Sequence, residues 1–143
     1  PHGSGISISH FEIVGVISAQ SSGIWDNIQY WQTTTNDNHG GSYLYVAVLQ
    51  IGYGNANPAN MNAISKTAAL TQLLCGNDLH VCNSGETVVG WLYYYDYSGQ
   101  SAGYFTVQAT LLRHLMVIGV TQFTFNKFIP SKKALHFLSK IDM

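Results

Sequence analysis

The sequence predicts an all-β fold: an antiparallel two-sheet β-sandwich, jelly-roll-like, with one inserted helix and a short C-terminal helix. Three observations carry that prediction. Strand-length stretches concentrate Val, Ile, Tyr and Trp. Turns rich in Gly, Asn and Ser separate them. Half-apolar sheets must also bury their apolar faces against a second layer, which favours a pair of sheets. With 143 residues the chain has room for one domain.

The elements follow in order. Residues 6–18 carry Ile6, Ile8, Phe11, Ile13, Val14 and Val16 with no Pro between them, which predicts a first strand. Residues 28–35 read as a second, followed by a turn over 36–41. Residues 42–52 give the clearest strand. Asn57 and Pro58 have the chemistry of a helix start, and Met61, Ile64, Ala68, Leu70 and Leu74 supply an approximate helical stripe ending before Gly76; the inserted helix is therefore expected over 57–74. Strands over 87–97 and 104–112 flank a flexible loop at 98–103 and read as an antiparallel hairpin. Residues 115–125 form a further predicted strand. The C-terminal helix is expected over 131–140, with Ala134, Leu135, Phe137 and Leu138 on one side.

Composition narrows the function. Charged residues make up 9% of the chain and the formal net charge is −1, too little positive charge for a phosphate-binding surface. Nucleic acid is excluded as a partner. No apolar run approaches the ~20 residues of a membrane span, because Arg113 and His114 break the best one. Low charge, abundant Tyr, Ser, Thr, Asn and Gly, and two closely spaced cysteines suit a secreted, extracellular protein. Residues 1–5 carry no signal-peptide pattern and read as a processed or appended end.

Residues 111–143 are compositionally distinct. Before residue 111 the formal balance is −5, and from 111 onward it is +4; all nine Tyr lie in the first part. Either this segment is a strand and helix covering an acidic body, or it has a separate origin.

Two strands show informative parity. In 42–52 the odd positions hold Tyr43, Tyr45, Ala47, Leu49 and Ile51, and the even positions hold Leu44, Val46, Val48 and Gln50. One face packs the core and the other presents rings. Gln50 then lies among aliphatics, where its amide either faces a cleft or bonds backbone at a sheet edge. In 87–97 Trp91, Tyr93, Tyr95 and Tyr97 share a face. Such a row either stacks on ligands or forms the inner layer of the sandwich.

The segment Ala47-Val48-Leu49-Gln50-Ile51-Gly52-Tyr53, with Ser84-Gly85-Glu86-Thr87-Val88-Val89 and the strand beginning at Tyr104, resembles the eqolisins, secreted glutamic peptidases, over roughly residues 20–110. The resemblance implies a two-sheet sandwich with a cleft on a concave sheet. It also implies that Gln50 is the oxyanion-stabilising catalytic residue, paired with a Glu that activates water. No acid lies between Asp96 and Asp142, where that Glu belongs, so a degenerate relative is expected.

Cys75 and Cys82 are expected to form a disulfide. With His80 they also make a three-ligand run that is one short of a structural zinc site. No cofactor or metal is expected. The expected ligand surface comprises Tyr43, Tyr45, Trp91, Tyr93 and Tyr95, facing a peptide or a glycan. The alternative to a peptidase is a noncatalytic carbohydrate-binding module, or one that assembles with itself through exposed edge strands.

Overall fold

A computed structural model describes residues 8–29, 32–110 and 119–123. Among them every regular element is a strand. Eleven are present: β1 (His10–Ser18), β2 (Asp26–Asn27), β3 (Leu44–Ile51), β4 (Asn55–Ala56), β5 (Ala59–Met61), β6 (Ile64–Lys66), β7 (Leu70–Cys75), β8 (His80–Val81), β9 (Val88–Asp96), β10 (Phe105–Thr110) and β11 (Gly119–Phe123). They form two antiparallel sheets. The larger has the order β2-β1-β3-β9-β7-β8, and the smaller has the order β11-β10-β5-β6 with β4 also paired to β10.

The central strands of the larger sheet are apolar on both faces because both faces are covered. On one face Ile13, Val16, Val46, Val48, Tyr95 and Tyr97 pack with Met61, Phe105 and Val107 of the smaller sheet. This is the layer the two sheets share. On the other face Val14, Ala47, Leu49, Leu74, Leu79, Leu92 and Tyr94 form a second cluster, closed partly by Trp25. Strand β1 feeds both layers through a bulge: its register with β3 shifts between Ile13 and Gly15, so Ile13 and Val16 reach the shared layer while Val14 turns to the other. Gly90 permits a close approach within the sheet. A Cβ there would lie 2.8 Å from the carbonyl oxygen of Gln50.

Three expectations are corrected. The predicted inserted helix over 57–74 is instead β5, β6, most of β7 and the turns between them. Ala59, Asn60 and Met61 alternate buried, exposed, buried, which is the strand period, and Asn62 and Ala63 both have positive φ (52° and 64°), which breaks any helix and makes a two-residue hairpin turn. The predicted β9–β10 hairpin is absent: β9 pairs with β3 and β7, and β10 pairs with β4, β5 and β11, so residues 98–103 cross from one sheet to the other. The predicted strand over 28–35 is displaced. Its place beside β1 is taken by Asp26–Asn27. Strand β11 lies within the predicted 115–125, while the expected C-terminal helix falls outside the described residues.

Candidate functional site

The pairing register places Phe11, Gln50, Trp91 and Leu73 in one row across the larger sheet, on the face that the smaller sheet partly covers. Gln50 is 0% exposed. Its Nε2 donates to the carbonyl oxygens of Gly52 (3.0 Å) and Gly54 (3.2 Å), and its Oε1 accepts from the Tyr93 hydroxyl (3.0 Å). Both amide hydrogens are therefore committed to backbone, and the chain after β3 folds back over the amide. The strand is central, so Gln50 bonds backbone in the middle of the sheet rather than at an edge. Glu12, the carboxylate nearest in register, pairs with Leu49 on the opposite face. Burial raises its pKa above the ordinary carboxylate range.

The expected aromatic surface divides. Tyr95 is buried, with its ring 5.8 Å from that of Phe105 in the shared layer. Tyr97 is buried beside the same ring, donates its hydroxyl to the Ile64 carbonyl, and is pushed up to about 12 by desolvation. Tyr93 is half-buried and its hydroxyl is spent on Gln50. Trp91 is half-buried, edge-on to Tyr53 at 5.3 Å, and its neighbour in register, Leu73, is 45% exposed. Tyr43 and Tyr45 form a tilted pair at 6.4 Å, but β3 alternation sets them on the face opposite to Gln50 and Trp91. One trough does not hold all five rings.

Cys75 and Cys82 are joined in a disulfide with Cα atoms 5.0 Å apart. His80, between them in sequence, has Nδ1 2.6 Å from Asp78 and Nε2 2.9 Å from Glu86. With a carboxylate on each ring nitrogen, the charged imidazolium is favoured: Asp78 first, then Glu86, raises its pKa. The Asn83 backbone N–H and His80 hold Glu86 low, and His80 holds Asp78 low. Glu86 is thus a member of a loop clamp.

Sequence reasoning missed a third arrangement. Ser18 at the end of β1, Asp26 in β2 and His39 in the loop before β3 are all buried: Ser18 Oγ lies 2.8 Å from His39 Nδ1, and His39 Nε2 lies 2.9 Å from Asp26 Oδ2. Burial pushes the Asp26 carboxyl up, but hydrogen bonds from His39, the Asn36 amide and the Asp37 backbone outweigh it and hold the carboxyl below its usual range. The trio has the residue types of a hydrolase triad. However, Ser18 is 0% exposed and its Oγ also accepts from the Ser21 backbone N–H, which makes it a staple for the end of the sheet. The three positions are separated by several residues each, so no local motif announces them.

A family model described as a domain of unknown function (DUF4879) matches residues 5–117. The chain belongs to the DUF4879 family. The DUF4879 match takes in β1 to β10, hence Gln50, the Trp91 row, the disulfide loop and the buried trio. No curated protein and no solved structure matches the chain. Among the described residues no helix is long and apolar enough to cross a membrane, and no group of three or more His, Cys, Asp and Glu converges to hold a metal ion.

Proposed function

We propose that this chain is a secreted, noncatalytic carbohydrate-binding module on a jelly-roll-like sandwich of eqolisin type, with the half-exposed Trp91 end of the larger sheet as a ligand surface. The observation that carries the reading is the contrast within one row: Gln50 is sealed with its amide hydrogens committed, while Trp91, Tyr53 and Leu73 beside it keep apolar surface toward solvent. An oxyanion donor must aim free N–H at the reacting oxygen. A stacking platform needs only an accessible ring face. The disulfide supports an extracellular setting.

A glycan array tests the reading. Trp91→Ala is expected to weaken binding by about tenfold or more with the thermal midpoint preserved. Hydrolysis of a denatured protein at about pH 2–4, abolished by Gln50→Ala in a folded chain, would instead restore the peptidase reading. Self-assembly is favoured by a separate observation: Leu70, Leu73 and Val81 are 51%, 45% and 50% exposed along the β7–β8 edge. Light scattering across concentration measures it, and a strictly monomeric chain removes it.

A further inference from the structure

The smaller sheet has an outer face whose chemistry differs from everything above. Strand alternation buries Phe105, Val107 and Ala109 and turns Thr106 and Gln108 outward; in the neighbouring β5, Ala59 and Met61 are buried and Asn60 points out, in register with Thr106. Two depressions lie along this face, and another lies beside it where the 98–103 crossover meets the loops that flank β1 and β3. The first, about 470 Å³, lies between Gln20 and Asn38 on one side and residues 101–104 on the other, and His39 of the buried trio also lines it. The second, about 250 Å³, shares Tyr104 with the first. The third, about 350 Å³, shares Asn60 and Thr106 with the second and continues to Gln108. Each thus shares lining residues with the next along this path, and Tyr104, common to the first two, is 59% exposed.

We propose that this path is an extended groove for a neutral oligosaccharide chain, a second glycan surface apart from Trp91. The proposal rests on the carbohydrate reading of the preceding section and gives it a ligand class and a location. Among the described residues, no Asp, Glu, Lys or Arg lines any of the three depressions. Among those residues phosphate and other anions, which call for Arg or Lys, find no cationic partner. Strand β10 is already paired on both sides, by β11 and by β4 and β5, so an extended peptide has no open edge to join. The remaining polar chemistry is amide and hydroxyl, with the buried His39 imidazole and the exposed Tyr104 ring. Each Asn or Gln offers both a donor and an acceptor, which suits the dual character of sugar hydroxyls, and the Tyr104 ring offers an apolar body with a polar tip.

Hydrogen bonds and close packing brace the groove walls. Asn62, in the β5–β6 turn, donates through Nδ2 to Gln100 Oε1 and to the Ala102 carbonyl, both at 2.9 Å, and so pins the 98–103 crossover. Gly40 is wedged against the same crossover: a Cβ there would sit 3.0 Å from Ser101 Cβ, at a φ of +146°. The Gly40 carbonyl accepts from the Gln20 backbone N–H at 2.9 Å. Ser18 and Asp26 hold His39. Walls that need no ordering on binding leave more of the contact energy for affinity.

The test uses the full chain and its Trp91→Ala variant, which removes the contribution of the other surface. Binding of cellohexaose, chitohexaose and mannohexaose is measured by calorimetry, with the matching disaccharides for length, a heparin hexasaccharide as anionic probe and an uncharged hexapeptide as the peptide probe. We expect Trp91→Ala to keep binding at least one neutral hexasaccharide, more tightly than its disaccharide. Adding Tyr104→Ala, or separately Asn60→Ala, is expected to weaken that residual binding about tenfold or more with the thermal midpoint unchanged. Both positions are exposed, so neither variant threatens the core. Loss of all saccharide binding in Trp91→Ala alone overturns the groove and leaves the Trp91 surface standing. Residual binding that ignores both Tyr104→Ala and Asn60→Ala overturns it too, as does a preference for heparin or the peptide. Absence of neutral saccharide binding in the unmodified chain overturns the groove and the carbohydrate reading together.

Discussion

Asp26 shows how much one side chain organises. Its two oxygens accept from His39 Nε2, Asn36 Nδ2 and the Asp37 backbone N–H inside the fold. Asp26→Asn keeps the shape but presents an NH₂ where donors already point, and is expected to cost about 2–4 kcal/mol in denaturant unfolding at pH 7. Because the folded carboxyl is held low, its contribution is complete above the ordinary Asp range and fades as the pH falls through the lowered folded value. The variant and its parent should therefore converge in acid. Ala63 makes the opposite case. It holds a φ of 64°, a conformation that costs a non-glycine residue about 1–2 kcal/mol, so Ala63→Gly is expected to raise stability by up to about 1 kcal/mol after the entropy of the added glycine. The sequence reveals neither position. Asp26 acquires its partners from a loop ten and more residues on, and Ala63 carries no mark of a left-handed turn.

At the scale of elements, the disulfide loop has a pH window set by charges of both signs. The imidazolium of His80 contributes fully below its ordinary value and is lost as the pH rises through its raised folded value. Asp78 and Glu86 contribute above their ordinary range and are lost as the pH falls through their lowered values. Amide exchange in residues 76–86 should be slowest between about pH 5 and 6, once corrected for intrinsic rates, and the protection should be weaker on both sides. His80→Gln should flatten the profile. Strand legibility followed simple physics. The long strands β1, β3, β9 and β10 were readable because β-branched and aromatic residues crowd them. The stretch from Asn57 to Leu74 was not, since short strands of two or three residues offer too few periods to tell two-fold from helical spacing. The parity of β3 and β9 was legible, but which face meets which layer was not: with both faces apolar, alternation alone cannot set Tyr43 apart from Trp91.

For the whole molecule, the shared layer depends on Phe105. Its ring meets Tyr95 and Tyr97 of the larger sheet edge-on, each at 5.8 Å, and it is 0% exposed. Phe105→Ala is expected to cost about 3–5 kcal/mol in guanidinium unfolding, with the slope unchanged if the sheets still unfold as one unit. The candidate site was legible only in part. The sharing of one strand face by Trp91, Tyr93 and Tyr95 is legible as alternation, whereas the bonding of Gln50 to backbone in mid-sheet and the proposed groove along Tyr104, Asn60 and Thr106 are not, because both depend on how the chain folds back after β3 and crosses between sheets after β9. The order of strands in the larger sheet has a further consequence for how the chain is made. Strand β3, oily on both sides, finds one long neighbour in β1 at once, yet its second neighbour β9 is added only after all of β4 to β8 has been synthesised. Through that interval one side of a sticky ribbon lacks its native partner, so truncations that end before β9 are expected to aggregate where the full chain does not, which light scattering checks.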